Sequence, residues 1–450
     1  MRAFTAFAIV LLAASAASAQ SADAVTTPPP NIVLNNYDSV PVGPFGGLEG
    51  SAYVARVGDP SAAWFNPAGL ARQDTAQISG SAGVYERTSV APTSFQNTGG
   101  SIQQLPNFVG FTVTPRKGYT FGAALVTTNA WVQETDGQVV TTIPAGPERF
   151  AYSADSDFEQ RVLAISVGYR GSGPWRYGGG FAFSLMNLRL VQSASDRIAT
   201  ATALQSLLIA TRVGGSALQM RLQGGVQYDR SHWQFGGAFR TPGATLMKSA
   251  NITLDGTADS GPSSVGASVF DADAHMEYHL PWEFQGGAAY VGDRLAVEVD
   301  LQAYTPVSAY AMVSTDQPSV VYRDTGNGGP PSVVTSPFPG LTTESNGVVN
   351  VGVGGHYLVS KNRTLRIHGG IGSNQSPVGD ADTLFNKVDL LSWTLGVSGS
   401  LGKFQFSAGV NSKSGTSSDI TLRNLLNGQV VHTPVDVKSI GFIYALAYQF

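Results

Sequence analysis

The sequence predicts an all-β membrane protein, a transmembrane antiparallel β-barrel of about 14 strands. Three observations support this fold class: apolar residues alternate along many segments, charged residues are scarce, and the chain ends on an aromatic residue. A barrel strand presents an apolar side chain to lipid at every second position, while the intervening positions face the lumen. The last segment meets this test with one apolar face, formed by Ile440, Phe442, Tyr444, Leu446, Tyr448 and Phe450.

Composition narrows the functional classes. Only 13% of the 450 residues are charged, while 53 are glycine and 10% are aromatic, a balance typical of a large barrel. The absence of cysteine excludes a disulfide framework, a lipoprotein anchor and thiolate metal sites. The net charge of −4 comes without a basic run, so nucleic acid is not an expected partner, and no cofactor is indicated.

The N-terminus predicts export. Arg2 precedes an apolar run over residues 4–14, and Ala17-Ser18-Ala19 matches the small-residue pattern of a signal-peptidase site. We therefore expect a signal peptide at residues 1–19. A membrane anchor is the weaker alternative, because this run is shorter than the ~20 residues that a spanning helix needs. After Gln20, no apolar run reaches the ~18 residues of a spanning helix, so any membrane-spanning part must be built from strands.

Alternation locates the barrel between residues 75 and 450. Charged residues take the inward positions, as where Glu298 and Asp300 alternate with Val297, Val299 and Leu301. A soluble sandwich is disfavoured, because its strands are shorter and bury their aromatic face. Strands are expected near residues 76–85, 106–114, 119–129, 160–170, 176–190, 213–228, 232–241, 278–291, 294–304, 347–358, 364–372, 391–401, 404–411 and 438–450.

The links between these segments alternate between short and long. Short turns are expected at residues 115–118, 171–174, 229–231, 292–293 and 402–403. Long loops are expected at residues 86–105, 131–157, 191–212, 242–276, 306–345 and 412–437, and this asymmetry is typical of outer-membrane barrels. One long link, residues 195–212, carries apolar residues at helical spacing and predicts an exposed helix. Its apolar side chains are candidates for contact with a hydrophobic ligand or with neighbouring loops: Ile198, Leu204, Leu207 and Leu208.

Residues 20–74 lack alternation and are rich in proline and glycine, which predicts an irregular N-terminal segment before the barrel. Residues 50–71, which contain Asn66-Pro67-Ala68, resemble the hatch of the FadL/TodX outer-membrane transporter family. The stretch over residues 365–371, followed by Ser376-Pro377-Val378, is also similar to that family. Asn-Pro alone often only opens a turn, but here it lies just before the first expected strand.

The resemblance implies a barrel plugged by residues 20–74. It also implies passive transport of long-chain fatty acids or other hydrophobic compounds, including aromatic hydrocarbons, across the outer membrane of a Gram-negative-type bacterium. The expected partners are a hydrophobic ligand, outer-membrane lipid and lipopolysaccharide, and the barrel-assembly machinery, which would read Phe450. No enzymatic activity is expected, because no serine or histidine lies in a nucleophile motif.

Cations at lumen positions are candidates for binding a carboxylate head group: Arg221, Arg240 and Arg366, with His368 close in sequence. The alternative is that they form ion pairs with Glu283, Glu298 and Asp300, which share the lumen, and so hold the hatch against the wall. Two other functions remain open: a general porin, which would lack a plug, and a structural or scaffold barrel without hydrophobic uptake.

Overall fold

A computed structural model describes most of the chain. The expected signal peptide, residues 1–19, and the first part of the expected hatch, residues 20–31, lie outside the described residues. The described ranges are residues 32–92, 99–143, 146–199, 204–260, 263–324, 326, 328–338, 340–359, 365–423 and 430–450.

Fourteen strands within these ranges form a closed antiparallel barrel, which confirms the predicted fold class. All fourteen expected segments correspond to these strands, although several strands are longer than expected. In order around the barrel they are β1 (Gln77–Pro92), β2 (Gly99–Arg116), β3 (Tyr119–Ile143), β4 (Gly146–Arg170), β5 (Trp175–Ala199), β6 (Leu204–Arg230), β7 (Trp233–Arg240), β10 (Glu283–Val291), β11 (Leu295–Tyr304), β16 (Val348–Leu358), β17 (Arg366–Asn374), β18 (Leu390–Leu401), β19 (Phe404–Arg423) and β20 (Val430–Gln449).

The barrel closes where the last strand pairs with the first. β1 pairs with β2 on one side and with β20 on the other, with Ile78 opposite Tyr448. Closure leaves no open sheet edge, which is a requirement in hydrocarbon because unpaired backbone groups there have no water to bond.

The long links at one end of the barrel are largely strands, which corrects the expectation of loops. The added strands are β8 (Ala244–Ser260), β9 (Ser263–Met276), β12 (Val307–Ser314), β13 (Pro318–Asp324), β14 (Ser332–Pro337) and β15 (Leu341–Ser345). β6 continues past the barrel and pairs there with β8, and the added sheet runs on through β9, β13 and β14. A smaller sheet pairs β12 with β9 and β15.

The helix expected over residues 195–212 is wrong. The described residues of this stretch belong to β5 and β6, which pair with each other from Ala199 opposite Leu204 downwards. Ile209 is 2% exposed and the adjacent Leu208 is 58% exposed, so burial alternates with the period of two of a strand. On its other side this part of β6 pairs with β8, so its backbone N–H and C=O groups have strand partners on both sides.

The outer face of the barrel is apolar. The face of β20 predicted from the sequence is exposed, with Ile440, Phe442, Tyr444, Leu446 and Phe450 all pointing outwards. Within the described residues, no helix is both long and apolar enough to span a membrane. The short turns predicted near residues 117, 172, 231, 293 and 402 lie between consecutive barrel strands at one end, and the added sheets lie at the other.

The apolar outer face predicts a cost for charge that depends on depth. Leu395 lies in the middle of β18 and Leu401 at its end beside a short turn, and both are exposed. We expect Leu395→Arg to lower the free energy of unfolding by about 2–4 kcal/mol and Leu401→Arg by about 0–1 kcal/mol. Urea unfolding in lipid vesicles, followed by tryptophan fluorescence, measures both. Equal costs at the two positions would contradict the membrane placement of β18.

Candidate functional site

Residues 32–76, called the N-terminal segment below, lie inside the barrel and contact strands all around the wall. The segment contains a 3-10 turn at Gly46–Leu48, one turn of α-helix at Ala62–Phe65 and a second 3-10 turn at Pro67–Arg72. Most of its residues are buried. Its apolar side chains, among them Phe45, Tyr53, Phe65 and Leu70, pack against Phe108 and small residues on the inner wall.

Glycines of the wall let the segment approach at backbone distance. A Cβ atom on Gly178 would lie 2.2 Å from the carbonyl carbon of Pro67, and one on Gly236 would lie 2.5 Å from the carbonyl oxygen of Val54. On the opposite wall, a Cβ on Gly354 would lie 1.8 Å from the carbonyl oxygen of Glu49. Each distance is well inside van der Waals contact, so only glycine fits at these positions.

Asn66, Pro67 and Ala68 form the closest contact of the segment with β5 and β6. Asn66 Oδ1 accepts a hydrogen bond from the backbone N–H of Ala68 at 3.1 Å and caps the second 3-10 turn. Asn66 Nδ2 donates to the carbonyl oxygens of Val54 and Val226, each at 3.1 Å. The amide therefore joins two parts of the segment to the wall.

Polar side chains of the wall satisfy the irregular backbone of the segment. Gln223 Nε2 donates to the carbonyl of Ala63 at 2.9 Å, and Gln227 Nε2 donates to that of Val54 at 3.1 Å. Asp300 Oδ2 accepts hydrogen bonds from two consecutive backbone N–H groups of the segment, those of Tyr53 and Val54, at 2.7 and 3.0 Å. These bonds replace the ladder partners that a strand would have.

Two of the predicted cations, Arg221 and Arg240, share Glu283 on β10. Arg240 Nη1 donates to Glu283 Oε1, and Arg221 Nη1 lies 3.5 Å from Glu283 Oε2. Arg240 also donates to the carbonyl of Trp64, and its guanidinium lies 3.5 Å from the centre of the Trp64 ring. Both arginines thus form ion pairs, as the alternative interpretation of the sequence held, and Arg240 holds the segment as well.

Asp38 of the segment lies beside this group. Its carboxylate accepts hydrogen bonds from Gln302 Nε2 and from the Tyr304 hydroxyl, each at 2.7 Å. Burial and the nearby negative charge of Glu283 raise the pKa of Asp38 to about 6. The charge of this contact between segment and wall therefore changes near neutral pH.

His368 meets Glu49 on the far side of the lumen. Glu49 Oε1 lies 2.7 Å from His368 Nδ1 and 2.9 Å from His356 Nδ1, and Glu49 Oε2 lies 2.5 Å from Arg56 Nη2. Arg56 also pairs with Glu298 at 2.6 Å. Burial disfavours the ionised carboxylate, but Arg56 and the two histidines outweigh it and hold the pKa of Glu49 well below its usual range.

A large apolar cluster fills the end of the barrel that carries the added sheets. It joins Ile32, Val33 and Leu34 of the segment to wall residues, to the added strands and to the link before β18. Trp131 Nε1 donates to the carbonyl of Ile32 at 2.7 Å, and the Phe385 ring packs edge-on against Phe158 at 5.2 Å between centres. The beginning of the described segment is thus part of an apolar core.

A cavity of about 90 Å³ lies between this cluster and the middle of the segment. Leu390 belongs to both the cluster and the cavity wall. The other side of the cavity is formed by the segment, through residues that include Tyr37, Val40, Trp64 and Phe65. Polar residues of the wall, such as Gln285, Asn350 and Lys413, complete the lining, so the cavity lies between the apolar cluster and the segment but is not itself apolar throughout.

The remaining predicted residues lie apart from this cavity. Leu207 packs with Ala194 and Ile209 in a small cluster on the extended β5–β6 hairpin, Ile198 is half-buried there, and Leu208 is exposed. Leu204 begins β6, and its side chain is outside the described part of the chain. Arg366 lies over the Phe45 ring, with its guanidinium carbon 5.6 Å from the ring centre.

Sequence reasoning missed Glu49 and the link before β18. The signal for Glu49 is its isolation, because it is the only charged residue over residues 39–55. The signal for the link is the apolar pair Leu384-Phe385 in the stretch between two expected strands. Neither position is part of an alternating pattern, so strand parity could not place it.

The fold and the filled lumen define a class: fourteen-stranded barrels that carry an N-terminal segment inside. No protein-family model matches the chain, and no curated protein matches it in sequence. Solved structures match over nearly the whole chain. A FadL homologue of Pseudomonas aeruginosa has a TM-score of 0.59 at 15% identity and covers 92% of this chain and 100% of its own.

Two toluene transporters match in the same way. TodX of Pseudomonas putida has a TM-score of 0.54 at 13% identity, covering 91% of this chain and 98% of its own. TbuX of Ralstonia pickettii has a TM-score of 0.51 at 15% identity, with the same two coverages. At these identities the comparisons establish the fold, so the chain has the fold of FadL-type channels.

The backbone contact at Gly178 predicts that a side chain there displaces the segment. We expect Gly178→Val to raise the ion conductance of the barrel in planar bilayers several-fold, because the added Cβ takes the place of Pro67. Gly286→Val is the matched control, since a Cβ at Gly286 meets no atom within 4 Å. Equal conductance of the two variants would show that the segment does not depend on this contact.

Proposed function

We propose that the protein is a passive outer-membrane channel for long-chain fatty acids or other hydrophobic compounds, including aromatic hydrocarbons. The observation that carries the proposal is the apolar cluster at the end of the barrel with the added sheets, called the outer end below because the proposal places it outside the cell. This cluster includes the first described residues of the segment that fills the lumen. The FadL homologue and the toluene transporters that share the fold support the same class of substrate.

The outer end offers a place for an apolar solute. Lipopolysaccharide resists such solutes, so an uptake route needs an apolar surface that a ligand can enter from outside. A ligand that enters this cluster contacts Ile32, Val33 and Leu34 directly or displaces them. Their backbone is held by a few hydrogen bonds, including those of Val33 with Asn386 and of Ile32 with Gln133.

The N-terminal segment acts in this proposal as a hatch. Water and ions meet a lumen filled by residues 32–76, whereas a ligand in the cavity contacts the segment itself through Val40, Trp64 and Phe65. Movement of the segment then couples ligand entry to ligand passage. The candidate cations Arg221 and Arg240 are already paired with Glu283. Arg240 also donates to the carbonyl of Trp64, so in this proposal it is Arg240 that holds the hatch.

Uptake assays test the proposal. The chain is expressed in cells that lack their own fatty-acid channel, and entry of labelled oleate, toluene and a hydrophilic sugar is followed. We expect oleate, toluene or both to enter faster than in cells with empty vector, with no gain for the sugar. Gain for the sugar alone would refute the proposal and favour a general porin, and gain for none would favour a scaffold barrel.

Asn66 provides a sharper test of the hatch. Asn66→Ala removes three hydrogen bonds, to Val54, Val226 and Ala68, and so uncouples the segment from β6. We expect uptake of the hydrophobic compound to fall several-fold while heat-modifiable migration on gels, which reports barrel folding, is unchanged. Asn187→Ala, at an exposed position of β5, is the control and should keep full uptake. Lost migration in Asn66→Ala would make the motif purely structural.

A further inference from the structure

Three side chains that offer metal-ligating atoms converge between the N-terminal segment and the wall. Glu49 comes from the segment, His356 from β16 and His368 from β17. Their ligating atoms all lie within 4.8 Å of one another. The Glu49 and His368 side chains are fully buried, and that of His356 is 21% exposed, so water can reach one side of the group.

The register of two strands builds this group. His356 and His368 are direct cross-strand partners, and two residues away on the same face Gly354 and Gly370 are partners as well. The backbone of Glu49 lies against this glycine pair, because a Cβ on either glycine would meet it within 2.2 Å. The backbone of Glu49 therefore packs against the glycine pair, and its carboxylate contacts the histidine pair.

The charges around the group favour a further cation. Two buried carboxylates, Glu49 and Glu298, share the guanidinium of Arg56. The charge of Arg366 also acts on His368, and the carboxyl group of Asp300 lies beside Glu298. With both histidines neutral, Glu49, Glu298 and Arg56 carry a net negative charge away from bulk water, which is costly unless it is balanced. A divalent cation held by the histidines and Glu49 would balance it.

We propose that Glu49 Oε1, His356 Nδ1 and His368 Nδ1 form a binding site for a divalent transition-metal ion such as Zn²⁺. Two imidazoles and one carboxylate are a known donor set for Zn²⁺, with water in the fourth position. Water would reach that position beside His356, the ligand that is partly exposed.

Ser398 allows the ring proton of His368 to lie on Nε2, which leaves Nδ1 free to bind a metal. His368 Nε2 lies 2.7 Å from Ser398 Oγ. When the metal takes Nδ1, the ring proton moves to Nε2 and donates to Ser398 Oγ, which a hydroxyl can accept as readily as it can donate. A neutral histidine therefore becomes a ligand without net loss of a proton, and the serine fixes the ring orientation.

The site would fasten the N-terminal segment to the wall. Two ligands belong to β16 and β17 and the third to the segment, so metal binding opposes any movement of Glu49 out of the lumen. Binding of the metal does not depend on what the barrel transports, so it can be tested without an uptake assay.

The direct test is metal binding to the purified full-length protein, produced without a polyhistidine tag and stripped with chelator. Competition with a chromogenic chelator should show one Zn²⁺ bound per barrel. We expect His356→Gln and His368→Gln each to weaken binding at least ~10-fold, and Ser398→Ala to weaken it to a smaller extent. His232→Gln, an exposed histidine at a short turn, should bind as the unchanged protein does.

Two further measurements keep the result unambiguous. Co²⁺ bound at this site should give visible absorption bands of a tetrahedral centre, which the two histidine variants should lose. Hydrogen exchange is compared at a Zn²⁺ concentration that saturates the unchanged protein but not Ser398→Ala. At this concentration Zn²⁺ should slow exchange of the backbone amides of residues 46–56 in the unchanged protein but not in Ser398→Ala. The proposal is overturned if no metal binds, if both histidine variants bind normally, or if His232→Gln loses binding equally.

Discussion

The close approach of the N-terminal segment to the barrel wall is the constraint on which the rest of the structure depends. The backbone of an irregular chain can come this close to the wall only where the wall presents hydrogen atoms instead of side chains. Gly178 and Gly236 on one side and Gly354 and Gly370 on the other meet this requirement, each next to backbone atoms of the segment. This requirement explains part of the high glycine content of the chain, which composition alone attributes only to barrels in general.

Contact at backbone distance creates a second requirement, because the segment has little regular secondary structure of its own. Each buried N–H and C=O group of the segment needs a partner, and the wall supplies many of them through Gln223, Gln227 and Asp300. The wall thus uses its inward positions in two ways, glycine for space and polar side chains for hydrogen bonds. An aqueous pore would instead leave such polar side chains to water.

Strand parity was sufficient to predict the barrel but not the interior. The fourteen strands follow from alternation, because lipid imposes the same period on every strand. The assignment of Asn66-Pro67-Ala68 as a hatch motif came from a family resemblance and from its position before β1, and it stays a prediction. The histidine partners of Glu49 could not be predicted, because they come from strands more than 300 residues away in sequence. The prediction of a helix over residues 195–212 was wrong because apolar residues three and four positions apart also occur by chance in a strand whose two faces are both partly buried.

The interior separates two kinds of contact along the barrel axis. Ion pairs and hydrogen bonds hold the middle of the segment, at Arg240 and Glu49, whereas apolar packing holds its beginning, at Ile32 and Val33. An apolar ligand competes directly with the second kind of contact and leaves the first intact, because it offers nothing to a buried charge. A ligand of the proposed class would therefore loosen the segment from its outer end, while the buried charges keep the middle closed to water and ions. If both proposals hold, the segment would respond to apolar solutes at its beginning and to cations at its middle.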